Sequence, residues 1–172
     1  MRFVIVLAIP MLLGGCWWEG PMFYPPNPAA IGPLSDGSYV AEGKDGETKF
    51  RVGHAPDGSY VDDDGGRLVA TPFDAGPRSI WIIEMLSDRP ADDTVYGLVE
   101  RHGDALYADI PACEDTKNIV RAAGGRIEGS SKSLGGLTCE FDTREQLESA
   151  IRAYLASHPR LPNRIQVRRE AN

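Results

Sequence analysis

The chain has 172 residues, with 25 acidic side chains against 18 basic ones and a formal net charge of −7 at neutral pH. That acidic total disfavours a nucleic-acid partner, and the length and apolar content fit a single domain with one core. The charge is unevenly placed: residues 36–115 sum to −11 and residues 116–172 to +4.

The first twenty residues read MRFVIVLAIPMLLGGCWWEG. The apolar run from Phe3 to Leu13 is too short for a membrane-spanning helix, which needs about 20 residues. It does suit the apolar region of an export signal, with Arg2 before it and small residues, Gly14 and Gly15, after it. The stretch Leu13-Gly14-Gly15-Cys16 resembles the lipobox of bacterial lipoproteins. The resemblance implies a signal peptide over 1–15 and an acylated, palmitate-bearing Cys16 at the mature N-terminus. With Trp17 rather than Asp after the cysteine, it further implies the outer membrane, with the protein facing the periplasm. Trp17 and Trp18 are suited to a bilayer interface, where amphipathic indoles are favoured.

Prolines at 21, 25, 26, 28 and 33 follow. They rule out a helix or a central strand and predict an extended, semi-rigid tether over 16–35. Met22, Phe23 and Tyr24 can dock either on the membrane or on the domain, and the residues do not choose between them. The globular domain is expected over 36–172.

DGSYV occurs twice, at Asp36–Val40 and Asp57–Val61. Asp-Gly pairs stand at 36–37, 45–46, 57–58 and 64–65, and Asp-Gly is a strong turn signal because Gly accepts positive φ. The segments between them, Ser38–Glu42, Thr48–Val52, Ser59–Asp62 and Arg67–Thr71, are rich in strand formers. Tyr39 and Tyr60 then hold equivalent strand positions with half-buried rings. His54 is placed to pair with Asp57 across its turn. The run Asp62-Asp63-Asp64-Gly65-Gly66 fits no EF-hand register, so a solvated turn is expected and no metal. Ser79–Leu86 reads as a central buried strand, followed by strands over Thr94–Glu100 and Ala105–Ile110. Seven short strands with tight links predict an antiparallel meander.

The pattern then changes. Asp115 to Ala123 carries helical spacing and stops at Gly124-Gly125. Asp142 with Glu145 three residues on resembles a capping box, and Leu147, Ala150, Ile151, Tyr154 and Leu155 form the apolar stripe of a helix through about Ser157. Ile165 and Val167 alternate in a closing strand. With Cys16 assigned to lipid, Cys113 and Cys139 are an even pair in an oxidising compartment, and a disulfide is expected. The fold class predicted is therefore α+β: an antiparallel meander of about seven short strands, then a helix–strand–helix–strand unit closed by the 113–139 bridge.

Catalytic signatures are missing from the sequence. His54, His102 and His158 sit in no metal-binding or nucleophile-activating pattern, and no GxSxG elbow occurs. The Gly124–Ser133 stretch has its Lys-Ser pair two residues too late for a phosphate loop. Asp92-Asp93 cannot be placed across a cleft from sequence. The basic residues Arg160, Arg164, Arg168 and Arg169 either compensate the acidic half or meet an anionic partner. The function expected is a non-catalytic, lipid-anchored envelope module without cofactor. Its partner would be an envelope protein, a cell-wall component or a small apolar ligand cupped between sheet and helix. The alternative is an envelope enzyme with catalytic groups on separated loops.

Overall fold

The computed structural model describes residues 17–44, 46–86, 94–129, 137–162 and 165–170. In chain order the strands are β1 (Trp18–Gly20), β2 (Gly37–Gly43), β3 (Gly46–His54), β4 (Tyr60–Asp62), β5 (Arg67–Ala75), β6 (Arg78–Leu86), β7 (Thr94–His102) and β8 (Ala105–Asp109). Helix α1 (Cys113–Ala122) follows, then β9 (Arg126–Gly129), β10 (Leu137–Glu140), helix α2 (Arg144–Ser157) and β11 (Ile165–Arg169). Strands β2 to β8 pair in succession, each antiparallel to the next.

β11 decides the architecture. Its Val167 lies opposite Ala41 of β2 on one side and Leu106 of β8 on the other, antiparallel to both. Eight strands therefore close into a ring, and the predicted α+β meander is corrected to a closed antiparallel barrel with two short helices outside it. The physical reason is edge satisfaction: an open meander leaves the outer edges of β2 and β8 unpaired, and one returning strand satisfies both. β1, β9 and β10 form a small extension of the sheet. β1 pairs antiparallel with β7 and parallel with β10, and β10 pairs with β9.

The Asp-Gly corners at 57–58 and 64–65 are built as turns, whereas Gly37 opens strand β2 and Asp45 lies outside the described residues. Gly58 and Gly65 have φ of 91° and 87°, which only glycine holds without strain. Asp62 accepts from the amides of Asp64 and Gly66 at 3.0 and 2.7 Å, so this carboxylate is occupied in shaping its own turn. Among the described residues no three His, Cys, Asp or Glu side chains converge as a metal site.

Strands β6 and β7 are covered on both faces, which explains the continuous apolar run of β6. One face carries Ile80, Ile82, Tyr96 and Leu98 into a core with Leu147, Ile151 and Tyr154 of α2 and Val120 of α1. The other face carries Trp81, Ile83, Met85 and Val99 toward Tyr39, Val52 and Tyr60 inside the barrel. The bridge Cys113–Cys139, with Cα atoms 5.3 Å apart, ties α1 to β10 in the outer core.

α2 starts one residue later than the sequence suggested. Thr143, not Asp142, is the N-cap; its hydroxyl accepts from the Gln146 amide while Gln146 Oε1 accepts from the Thr143 amide. Asp142 instead takes a contact from Arg126. At the other end of α2, Arg78 donates to the carbonyls of Leu155 and His158 while holding Glu100 in a two-point pair. That pair and His102 keep the carboxyl of Glu100 below the usual range, against the upward push of its burial.

The Pro-rich segment is part of the folded body. Trp18 is 1% exposed, donates to Thr116 Oγ1 at 2.8 Å and meets Phe141 and Tyr154 edge-on. This corrects its placement at a bilayer interface. Phe23 stacks on Tyr96, and the Tyr24 hydroxyl donates to Glu148. The basic end is partly compensated within the fold: Arg168 pairs with Glu47, and Arg169 donates to the Asp36 carbonyl. Arg164 lies outside the described residues.

Candidate functional site: the barrel lumen

Alternation along closed strands sends every second side chain inward. Here the inward set is almost wholly apolar: Phe50 and Val52 from β3, Leu68 from β5, Ile83 and Met85 from β6, Val95 and Val99 from β7, Leu106 and Ala108 from β8, and Val167 from β11. These side chains do not fill the ring. They leave a cavity of about 260 Å³, and Phe50, Leu68, Met85, Val99 and Val167 stay only partly buried along it. Gly97 contributes space where another residue would place a side chain: a Cβ there would meet the Asp109 carbonyl at 3.3 Å and Ile110 at 3.6 Å.

One end of the barrel is crossed by a strap of chain, residues 31–35. Four barrel side chains hold its carbonyls. Trp81 Nε1 donates to Ile31 O at 3.0 Å, Arg101 to Pro33 O at 2.8 Å, Tyr60 to Leu34 O at 3.0 Å and Tyr39 to Ser35 O at 2.8 Å. The last two donors are the tyrosines of the two DGSYV copies, so the repeat clamps adjacent carbonyls of one segment. Gly32 permits this close approach, because a Cβ there would sit 1.8 Å from the Tyr60 hydroxyl. Pro33 and Leu34 turn their side chains into the lumen as its floor.

Upstream, Glu84 fixes the chain that leads into the strap. This carboxylate is fully buried on the outer face of β6 and accepts from the amides of Phe23, at 2.8 Å, and Tyr24, at 3.2 Å. Burial pushes its pKa up from 4.5 to about 7, opposed by those two amides.

Residues singled out from the sequence are dispersed. Cys16 and Asp92-Asp93 lie outside the described residues, as do residues 130–136 of the Gly/Ser loop. Cys113 and Cys139 form a structural bridge in the outer core. His54 pairs with Asp36 at 2.5 Å, not with Asp57, because β2 and β3 are adjacent; Asp57 instead caps Ser59 and takes Arg67. His102 meets Glu100, and His158 sits at the Tyr154 carbonyl, so the three histidines share no site. The space between sheet and helices, where a ligand was expected, is filled by Trp18, Phe141 and Leu147. The cavity lies on the opposite face of the same strands.

No family model matches this chain, and no solved structure matches it. It is similar to a CTP pyrophosphohydrolase of Escherichia coli (strain K12), with 31% identity over 68 residues. That stretch is 40% of this chain and 50% of the enzyme, so the chain spans about half of that protein's length. The fold and cavity together define an eight-stranded antiparallel barrel with an apolar lumen.

Proposed function

We propose that this chain is a lipid-anchored envelope protein whose barrel holds a small apolar ligand, on the periplasmic side of the outer membrane and without catalysis. The observation that carries the reading is the unfilled lumen. Protein interiors are close-packed, and an empty apolar space forfeits the contacts its lining would otherwise make. A cavity of about 260 Å³ with an apolar lining approaches the size of small-molecule sites.

The anchor is supported by the Leu13–Cys16 stretch. Trp18 belongs to the outer core, and two residues of chain reach at most about 7 Å. An acylated Cys16 therefore brings the barrel itself against the bilayer, within reach of apolar molecules partitioned there.

Native mass spectrometry after incubation with an envelope lipid extract tests the ligand. One bound apolar molecule per chain is expected, and it should be absent from a Val99→Trp variant whose indole occupies the lumen. No adduct on the unmodified chain overturns the reading. Palmitate labelling that survives Cys16→Ala overturns the anchor separately.

A further inference from the structure

We propose that the occupant of the lumen is a single linear hydrocarbon chain from a separate molecule, entering methyl end first against the strap. This rests on the reading of the lumen as a binding site and adds the chemical class of what fills it.

The first observation is polarity. Of the polar side chains that reach the lumen and its floor, Tyr39, Tyr60, Trp81 and Arg101 are engaged with strap carbonyls. Asp62 is engaged with turn amides, Arg67 with Asp57 and Ser59, and Asp109, which also borders the lumen, accepts from the Tyr154 hydroxyl at 2.6 Å on the outer face. A ligand hydroxyl or amide placed among Val99, Ile83 and Leu106 would give up water for no partner, whereas methylenes lose nothing there.

The second observation is shape. The lining runs along β7 from Val95 to Val99, a depth of about 10–13 Å at the usual strand rise and barrel tilt. A compact space of about 260 Å³ would be only about 8 Å across, so the lumen is longer than it is wide. That shape suits an extended chain better than a compact cage. A depth of about 10–13 Å takes roughly nine methylenes of an extended chain.

The third observation is the closed floor. Pro33 and Leu34 present apolar side chains to the lumen while the strap's carbonyls are spent on the wall. A terminal methyl suits that floor, and a polar head does not.

A length series separates this inference from the reading beneath it. The full chain carrying Cys16→Ser, which takes the acyl anchor out of the measurement, is titrated calorimetrically with straight-chain 1-alkanols from six to sixteen carbons and with 1-adamantanol. Affinity should rise about fourfold per added methylene, then flatten near about nine carbons, with 1-adamantanol far weaker than 1-decanol. Ala108 lines the lumen beside Val99, its register partner on the neighbouring strand. Ala108→Leu should therefore move the break down by about three carbons with the slope per methylene unchanged.

Equal binding of 1-adamantanol and 1-decanol overturns the linear-chain assignment, as does a rise that continues unbroken to sixteen carbons. A break that Ala108→Leu leaves in place shows that the chain sits elsewhere, and also overturns it. Binding of no alkanol and no cage compound overturns the lumen as a site altogether.

Discussion

The two faces of β6 and β7 carry similar residues and do opposite things. On the outer face, Ile82, Tyr96, Trp18, Phe141, Leu147 and Ile151 are each 2% exposed or less. On the inner face, Trp81, Met85 and Val99 are apolar as well but remain partly buried around open volume. The contrast separates stability from function. The helices and the N-terminal segment give the barrel wall a dense core outside the ring, so the inside does not have to be filled for the fold to stand. In a barrel without that outer layer the lumen side chains would be the core, and a cavity there would be far more destabilising.

Truncation on the two faces breaks or sharpens this contrast most directly. Trp18→Ala should destabilise by about 3–5 kcal/mol, since it opens a hole among fully buried rings and removes the indole that donates to the Thr116 hydroxyl. Val99→Ala, on the wall of a space already open, should cost less than about 1 kcal/mol. Urea unfolding measures both, and equal losses would mean that the lumen is as much a core as the outer layer.

The disulfide comes next. Cys113→Ala with Cys139→Ala should lower stability by roughly 3–4 kcal/mol through a loop of 26 residues. Both cysteines belong to the outer core, so alkanol binding by the folded fraction should be unchanged. Lost binding with retained fold would couple the two faces.

Glu84 offers a smaller, pH-dependent effect on the outer face. Its native pKa of about 7 lies above its ordinary 4.5. Its relative contribution to stability is therefore full below pH 4.5 and lost as pH rises through about 7. The unmodified chain should lose on the order of 2–3 kcal/mol between pH 5 and pH 8 from this group. Glu84→Gln, whose carbonyl can still accept from the Phe23 and Tyr24 amides, should remove that slope; parallel urea curves for the two chains would refute the assignment.

A local effect is expected at the strap. Tyr60→Phe deletes the hydroxyl that meets both the carbonyl and the amide of Leu34, worth about 1 kcal/mol. Hydrogen exchange should show faster exchange at Leu34 and, with Tyr39→Phe, at Ser35, whose amide donates to Tyr39. Unchanged rates would mean that the clamp does not hold the strap.

What was legible from residues alone was local. Asp-Gly turns, alternation within strands and the stripe from Leu147 to Leu155 are set by contacts a few residues apart, and these positions match elements β2 to β8 and α2. The Cys113–Cys139 bridge was legible from the even pair of cysteines left once Cys16 was assigned to lipid and an oxidising compartment was expected. The capping box was misplaced by one residue because Asp142 and Thr143 are both good N-caps, and the choice fell to Gln146 and Arg126.

Closure was not legible, because nothing near Ile165–Arg169 encodes that it fits between strands more than fifty residues away in the chain. Nor was the role of Trp18, whose partners Thr116, Phe141 and Tyr154 are brought to it by the packing of α1 and α2. An alternating or continuous apolar strand states that a face is buried, not against what. Whether Ile83 and Val99 meet helices or an enclosed space depends on long-range pairing, and that pairing made the lumen.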